Sequence, residues 1–289
     1  MSDPLAAFIA ALDLTDTGAR TSEDIFTGPS QWMPHGRVFG GQVLAQSLVA
    51  AQRTVEADRT VHSMHAYFLR PGQIDKRITF SVDRIHDGRS FSTRRTQAYQ
   101  DGLPILSAIM SFQDRDEGLE HQIDMPADLP DPESLPGVAE HLANIDHDEA
   151  RFWARERPFD MRHVTSPLYL SVEGEHVAHQ AVWFKAIGTL PDDENLHRAA
   201  LAYASDDSIL EPILRRHGIP KTTQGLKMAS LDHAMWWHRF GRVDEWCLYL
   251  QESPTAIGGR GLALARIYSR DGMLLASVAQ EGMIRVPRA

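Results

Sequence analysis

Residues 40–52, GGQVLAQSLVAAQ, carry no charged side chain, and small or apolar residues recur around the whole helical circumference. Such a run predicts a helix buried nearly all round, without a single apolar stripe. Residues 196–216, LHRAALAYASDDSILEPILRR, predict a second helix of a different kind. Leu196, Ala199, Tyr203, Asp206, Leu210 and Ile213 recur at steps of three and four, which places them on one face. All but Asp206 are apolar or aromatic. Asp207 adjoins it, and periodicity alone does not decide which acid points inward. An inward carboxylate is costly unless hydrogen-bonded, so it calls for polar partners on other apolar elements.

Strand patterns surround these helices. Residues 88–112, GRSFSTRRTQAYQDGLPILSAIMSF, and residues 258–282, GGRGLALARIYSRDGMLLASVAQEG, each read as strand, Asp-Gly turn, strand. Upstream of each hairpin, HAYF (65–68) parallels HAMW (233–236). Each half thus reads as a strand, a long helix and a run of antiparallel strands, an internal repeat of α+β class. A long helix followed by a meander suggests a sheet wrapped around its helix. Between the halves, residues 114–137 are rich in acids and proline and have no apolar period, which reads as a linker or surface excursion. The expected division is 1–113, a linker over 114–157, and 158–289.

Composition narrows the partners. The 289 residues have a formal net charge of −10, from 29 Lys and Arg against 39 Asp and Glu. That balance disfavours nucleic acid and stable binding to anionic membranes, and leaves room for a small anionic ligand held by a few local cations. Cys247 is the single cysteine. It excludes an intramolecular disulfide and suits a reducing compartment. The opening MSDPLAAFIAALDL is too short and too acidic in its apolar stretch for a signal peptide, and no run approaches a membrane span. The expectation is a soluble cytoplasmic protein.

Candidate chemistry gathers in the second half. In MLLASVAQEGMI, alternation places Leu274, Ala276, Val278 and Gln280 on one strand face, so Gln280 ends an apolar series. The segment KMASLDHAMWWHR sets Ser230, Asp232, His233, His238 and Arg239 around Met235, Trp236 and Trp237. Each has a plainer reading: Asp206 as a solvent-facing or capping acid, Gln280 as a strand end reaching water, the aromatic run as core. His62 and His65 are spaced so that a strand would turn them to opposite faces, and no cysteine joins them, so neither metal nor cofactor is expected. There is no G-x-S-x-G elbow. Cys247 reads as a packed thiol. The glycines of GGRG (258–261) lack the lysine of a P-loop and mark a close backbone approach, with Arg260 on the surface or at a phosphate.

The stretches RVFGGQVLAQSLVAA (37–51), VHSMHAYFLRPG (61–72), DGRSFSTRRTQAYQDGLPI (87–105), LAYASDD (201–207), SLDHAMWWHR (230–239) and LLASVAQEGMIR (274–285) resemble the acyl-CoA thioesterase II family, in that family's order. The resemblance implies a double hotdog, two tandem repeats each with an antiparallel sheet wrapped around a long helix, the catalytic residues lying in the second. It implies hydrolysis of fatty acyl-CoA by a water that an Asp, a Thr and a Gln position. These land on Asp206, Ser230 and Gln280. Ser230 departs from the family's Thr, keeping the hydroxyl but losing the methyl that stiffens χ1. Asp207 stands where the family has an apolar residue, and a second carboxylate is expected to raise the pKa of Asp206. Met235, Trp236 and Trp237 are candidates for an acyl slot, and oxyanion donors are expected at backbone N–H groups near a helix start. A homo-oligomer is implied because exposed hotdog sheets commonly pair. Two alternatives remain: a hotdog enoyl-CoA hydratase using an Asp with His233 or His65, and a non-catalytic acyl-CoA sensor.

Overall fold

The computed structural model describes residues 3–19, 21–142 and 148–287. The first half runs α1 (Pro4–Leu12), β1 (Thr15–Asp16), β2 (Asp24–Gly28), α2 (Gly40–Gln52), β3 (Thr60–Phe68), β4 (Ile78–Asp87), β5 (Phe91–Gln100) and β6 (Leu103–Gln113). A 3-10 turn at Pro132–Ser134, α3 (Val138–Leu142) and α4 (Asp148–Arg155) follow. The second half runs β7 (Phe159–His163), β8 (His179–Ala186), α5 (Glu194–Ser205), α6 (Glu211–Arg216), β9 (Lys227–Ser230), β10 (Asp232–Trp237), β11 (Cys247–Ile257), β12 (Arg260–Ser269) and β13 (Leu274–Arg285).

The strands form one continuous sheet, ordered β1-β2-β4-β5-β6-β3-β10-β13-β12-β11-β8-β7, with β9 paired to β13. The order β2-β4-β5-β6-β3 on one side reappears as β8-β11-β12-β13-β10 on the other. Chain direction repeats too: a strand, a helix, then a four-strand antiparallel set. The halves join where β3 pairs with β10, with Met64 opposite Met235. His65 lies exposed on the outer face of β3, whereas His233 is fully buried on the inner face of β10. The matching strings HAYF and HAMW therefore do not mark equivalent positions. HSM (62–64) and HAM (233–235) do, because they bring the two methionines together at the junction.

The helix over 40–52 forms as its pattern requires. Ten of its residues are buried, Gly41 through Leu48 without a break. Its glutamines are satisfied inside: Gln42 Nε2 donates to Pro29 O (2.8 Å) and Gln46 Nε2 to Ala11 O (2.8 Å). Beside it lies α5, also rich in alanine and buried on most sides. One apolar core, from Phe8 and Leu44 through Met64 to Met235 and Tyr249, runs through both halves.

The single helix expected over 196–216 is broken. The first helix, α5, stops at Ser205, Asp206 is its C-cap, and α6 starts at Glu211. Pro212 explains the interruption: it has no N–H for a carbonyl four residues back, and its ring would clash there. The chain turns tightly instead, with Asp207 N–H donating to Ala204 O. Asp101-Gly102 has positive φ at both residues, as a two-residue type I′ hairpin needs, and so does Gly258-Gly259. The first two glycines of GGRG thus serve a turn. Gly261 fits the expected close approach, because a Cβ there would lie 2.5 Å from Ile213 Cδ1.

The acidic stretch after β6 is not a free loop. Met125, Leu129 and Leu135 cover a second apolar cluster built on Trp183, Trp246 and Tyr268, on the outer face of the second half. Trp183 Nε1 donates to Pro130 O (3.1 Å) and Trp246 Nε1 to Glu133 Oε1 (2.7 Å). No helix among the described residues is long and apolar enough to cross a membrane.

Candidate active site

At the end of α5 the chain leaves helical geometry and turns the Asp206 side chain toward two neighbouring strands. Ser230, the last residue of β9, donates its hydroxyl to Asp206 Oδ1 at 3.0 Å. Gln280, near the middle of β13, donates from Nε2 to the same oxygen at 3.0 Å and to Ser230 Oγ at 2.8 Å. Ser230 reaches Gln280 because β9 pairs with β13, Ser230 opposite Gly282. The three candidates singled out in the sequence therefore form one hydrogen-bonded triangle. Asp206, and not Asp207, is its acid.

A third donor comes from the other half. The Gly41 N–H, in the first turn of α2, bonds the Asp206 carboxylate. The N-cap residue of α2, Phe39, offers no side-chain cap, so Asp206 fills that role in trans, at the positive end of the helix dipole. The two helix-opening glycines make this possible. A Cβ on Gly40 would stand 2.5 Å from Asp206 Oδ2, and one on Gly41 2.2 Å from Tyr203 O. The signal in the sequence was a Gly-Gly opening a helix with no capping side chain before it.

Burial dominates the acid's chemistry. It pushes the Asp206 pKa up to about 6, against the opposing pull of the bonds from Gln280, Ser230 and Gly41. The expectation that Asp207 causes the rise is corrected. Asp207 turns away to pair with Arg157, whose guanidinium also lies 3.8 Å over the Trp153 ring. Its charge is compensated, and desolvation accounts for the shift.

Behind the triangle sits His233, which sequence reading left among the polar ends of an aromatic strand. Its Nδ1 is 2.5 Å from Gln280 Oε1 and its Nε2 is 3.0 Å from Ser205 Oγ. Burial lowers its pKa to about 4, so the ring is neutral near pH 7. Tyr249 supports the same helix end by donating to Ser205 O at 2.6 Å.

The triangle opens onto a cavity of about 580 Å³. Asp206 and Ser230 line it together with Val38, Phe39, Gly40, Val43 and Phe68 from the first half, Trp153 from the segment between the halves, and Leu210, Met228 and Leu231 from the second. Arg37 and Arg70 lie on its exposed rim. Lys221 and Glu211 close another wall as an ion pair of 2.5 Å. Met235, Trp236 and Trp237 do not line it: Met235 and Trp237 are core residues, and Trp236 packs edge-on against His65 on the outer face. Arg260 is a surface residue bonded to Glu281, and Cys247 is a buried thiol. Among the described residues, no cluster of three or more His, Cys, Asp or Glu is arranged to hold a metal ion.

Two family profiles match the chain. The one described as acyl-CoA thioesterase covers residues 153–283, and the one described as acyl-CoA thioesterase N-terminal domain covers residues 28–113. Acyl-CoA thioesterase 2 of Haemophilus influenzae is 38% identical over 99% of both chains. The crystal structure of an acyl-CoA thioesterase II from Mycobacterium marinum is 39% identical and superposes with a TM-score of 0.78 over 97% of this chain and 98% of that one. A protein of Alicyclobacillus acidocaldarius described as having a hot dog fold superposes with a TM-score of 0.79, over 98% of this chain and 99% of its own, at 18% identity. That last likeness speaks to the fold alone, which is a hotdog-type antiparallel sheet with a few helices. Matched from end to end by such relatives, this chain belongs to the acyl-CoA thioesterase II family.

Proposed function

We propose that this protein hydrolyses acyl-CoA thioesters by direct attack of a water held against Asp206, Ser230 and Gln280. The observation that carries the reading is that triangle, built from three separate elements, with Asp206 and Ser230 lining an apolar cavity and Gln280 buried behind them. Asp206, with its pKa pushed up to about 6, is charged near neutral pH yet basic enough to take a proton in the transition state. The water gives one hydrogen to Asp206 and the other to Ser230 Oγ, which leaves a lone pair toward the thioester carbon, and Gln280 fixes both acceptors from behind through its two N–H bonds. As the water oxygen bonds that carbon, its proton passes to Asp206 and the carbonyl becomes an oxyanion. The N–H of Gly40, in the first turn of α2, has no intrahelical acceptor and is the donor assigned to it. Collapse breaks the C–S bond, and the Asp206 proton goes to the departing thiolate. The apolar wall takes the acyl chain, and Arg37 and Arg70 stand where CoA phosphates would pass.

The repeated strand order and the paired helices support reading the molecule as two fused hotdog units, residues 1–113 and 158–289, with 114–157 as the connecting strap. A homo-oligomer is supported by a row across the outer face, in which register aligns Ile109, His65, Ala234, Ala279 and Leu264, the two alanines half-buried and the other three exposed. The lone buried thiol fits a reducing cytoplasm. The hydratase alternative relied on His65 or His233, and neither lines the cavity: His65 lies on the outer face and His233 is sealed behind Gln280. The two departures from the family pattern, which would give weight to a mere sensor, are accommodated, Ser230 by its bonds and Asp207 by Arg157.

The test is to incubate the protein with saturated and 2-enoyl-CoA substrates and to count free thiol, free acid and hydrated thioester. Thiol and acid released in equal amounts are expected. Hydration without thiol, or stable binding of intact acyl-CoA, would contradict the reading.

A further inference from the structure

The polarity of the hydrogen bonds around Gln280 can be worked out from one fixed end. An ionised carboxylate only accepts, so the Gln280 atom 3.0 Å from Asp206 Oδ1 must be the amide nitrogen. The amide oxygen is then the atom 2.5 Å from His233 Nδ1. That oxygen also only accepts, so Nδ1 must carry the proton. In a neutral imidazole the other nitrogen is then an acceptor; Ser205 Oγ stands 3.0 Å from it and 2.9 Å from Ala202 O, so the one hydroxyl proton is shared between the ring and that carbonyl. From His233 through Gln280 to Asp206, every donor points the same way.

Asp206 cannot by itself hold this order through a reaction cycle. Once it has taken the water's proton it is a carboxylic acid, able to donate, and a flipped Gln280 could accept from it. The two ends of an amide have nearly the same shape, so packing does not resist the flip. Resting on the water-positioning role proposed above, we propose that His233 is a positioning residue: its Nδ1–H locks the Gln280 amide so that the NH₂ always faces Asp206 and Ser230, the two groups that hold the attacking water. The lock is independent of the charge on Asp206. His233 is fully buried and does not line the cavity, so it acts through Gln280 and not on the substrate. Protonation would not release the lock near neutral pH, because burial keeps the ring neutral.

The other titratable groups near Asp206 are accounted for. Burial pushes Tyr203 and Tyr249 upward, leaving both neutral. Asp207 and Glu211 are matched by Arg157 and Lys221. A change in the acid limb of the pH profile therefore reports on the bonds to Asp206 itself.

The experiment compares His233→Leu, His233→Asn and Asp206→Asn with wild type, with thermal melts to establish folding. His233→Leu removes the donor and keeps an apolar filling. Its kcat is expected to fall about 10- to 100-fold, as for other residues that orient a reacting group from behind, with KM nearly unchanged. The acid limb of kcat/KM should move above its wild-type midpoint, because a flipped amide favours protonated Asp206. Asn carries its Nδ2 where histidine carries Nδ1, and should recover part of both losses. Unchanged kcat and limb in a folded His233→Leu would overturn the proposal. So would a fall in kcat with an unmoved limb and no recovery in Asn, the mark of a purely structural role. If His233→Leu does not fold, the ring nitrogen NMR signals of the wild type decide: a proton on Nε2 overturns the assignment and one on Nδ1 supports it. Full turnover by Asp206→Asn would instead bring down the water-positioning reading itself.

Discussion

At the scale of single residues, Asp206 is held between opposing demands. Burial favours its neutral form, three donors favour its charged form, and burial wins by enough to place the pKa at about 6. A folded-state pKa raised above the unfolded value means that the folded state holds the proton more tightly. The group is therefore least costly to folding below about pH 4 and becomes a burden as pH rises through about 6. At about pH 8 the burden is at most about 3 kcal/mol. Asp206→Asn is accordingly expected to melt higher than wild type at pH 8, with the difference closing near pH 4; thermal melts at both values check this. Ser230→Ala should lower kcat about tenfold or more, since it removes one bond to the acid and one acceptor from Gln280; steady-state thiol release measures it. Asp206 and Gln280 were legible because each interrupts an apolar series, whereas Ser230 was one polar residue among several and only the family resemblance singled it out. Periodicity did not choose Asp206 over Asp207, since both flank the centre of the stripe; the family resemblance chose it, and the helix end after Ser205 is what separates the two.

Among the elements, the N-terminus of α2 carries the heaviest constraint. Gly40 and Gly41 let a helix from one half meet the helix end of the other with no Cβ between them. Gly41→Ala would drive a methyl into Tyr203 O and the Phe39 ring. A loss of about 1–3 kcal/mol is expected, the usual cost of overpacking, and chemical denaturation should show it as a lower midpoint with an unchanged slope. The helix over 40–52 could be read to the residue because its pattern is uninterrupted and uncharged. The second helix was overextended because the periodic stripe continues across the break. Pro212 held the correction, but its effect falls on residues four positions earlier and competes with a strong apolar period. The Asp-Gly hairpins were legible because their chemistry is local, whereas pairing the halves by HAYF and HAMW mistook an outward histidine for an inward one.

Over the whole molecule, site and fold cannot be separated. The cavity draws its walls from both halves and from the segment between them, which is why no local pattern announced it and why Met235, Trp236 and Trp237 looked like better candidates than Phe39 or Phe68. The core is shared, and β3 pairs with β10 from Ser63 to Tyr67. A fragment of residues 1–113 would expose that edge and the inner face of α2, so it is expected to be unfolded or aggregated when expressed alone; circular dichroism and size-exclusion chromatography would show this. The most direct test of the account is kcat/KM for acyl-CoA hydrolysis across pH 4–9, wild type beside Asp206→Asn. The account predicts an acid limb with a midpoint near 6 in the wild type, and a loss of about 10²–10⁴-fold in the variant at every pH above it. Turnover by Asp206→Asn within a few-fold of wild type would contradict it.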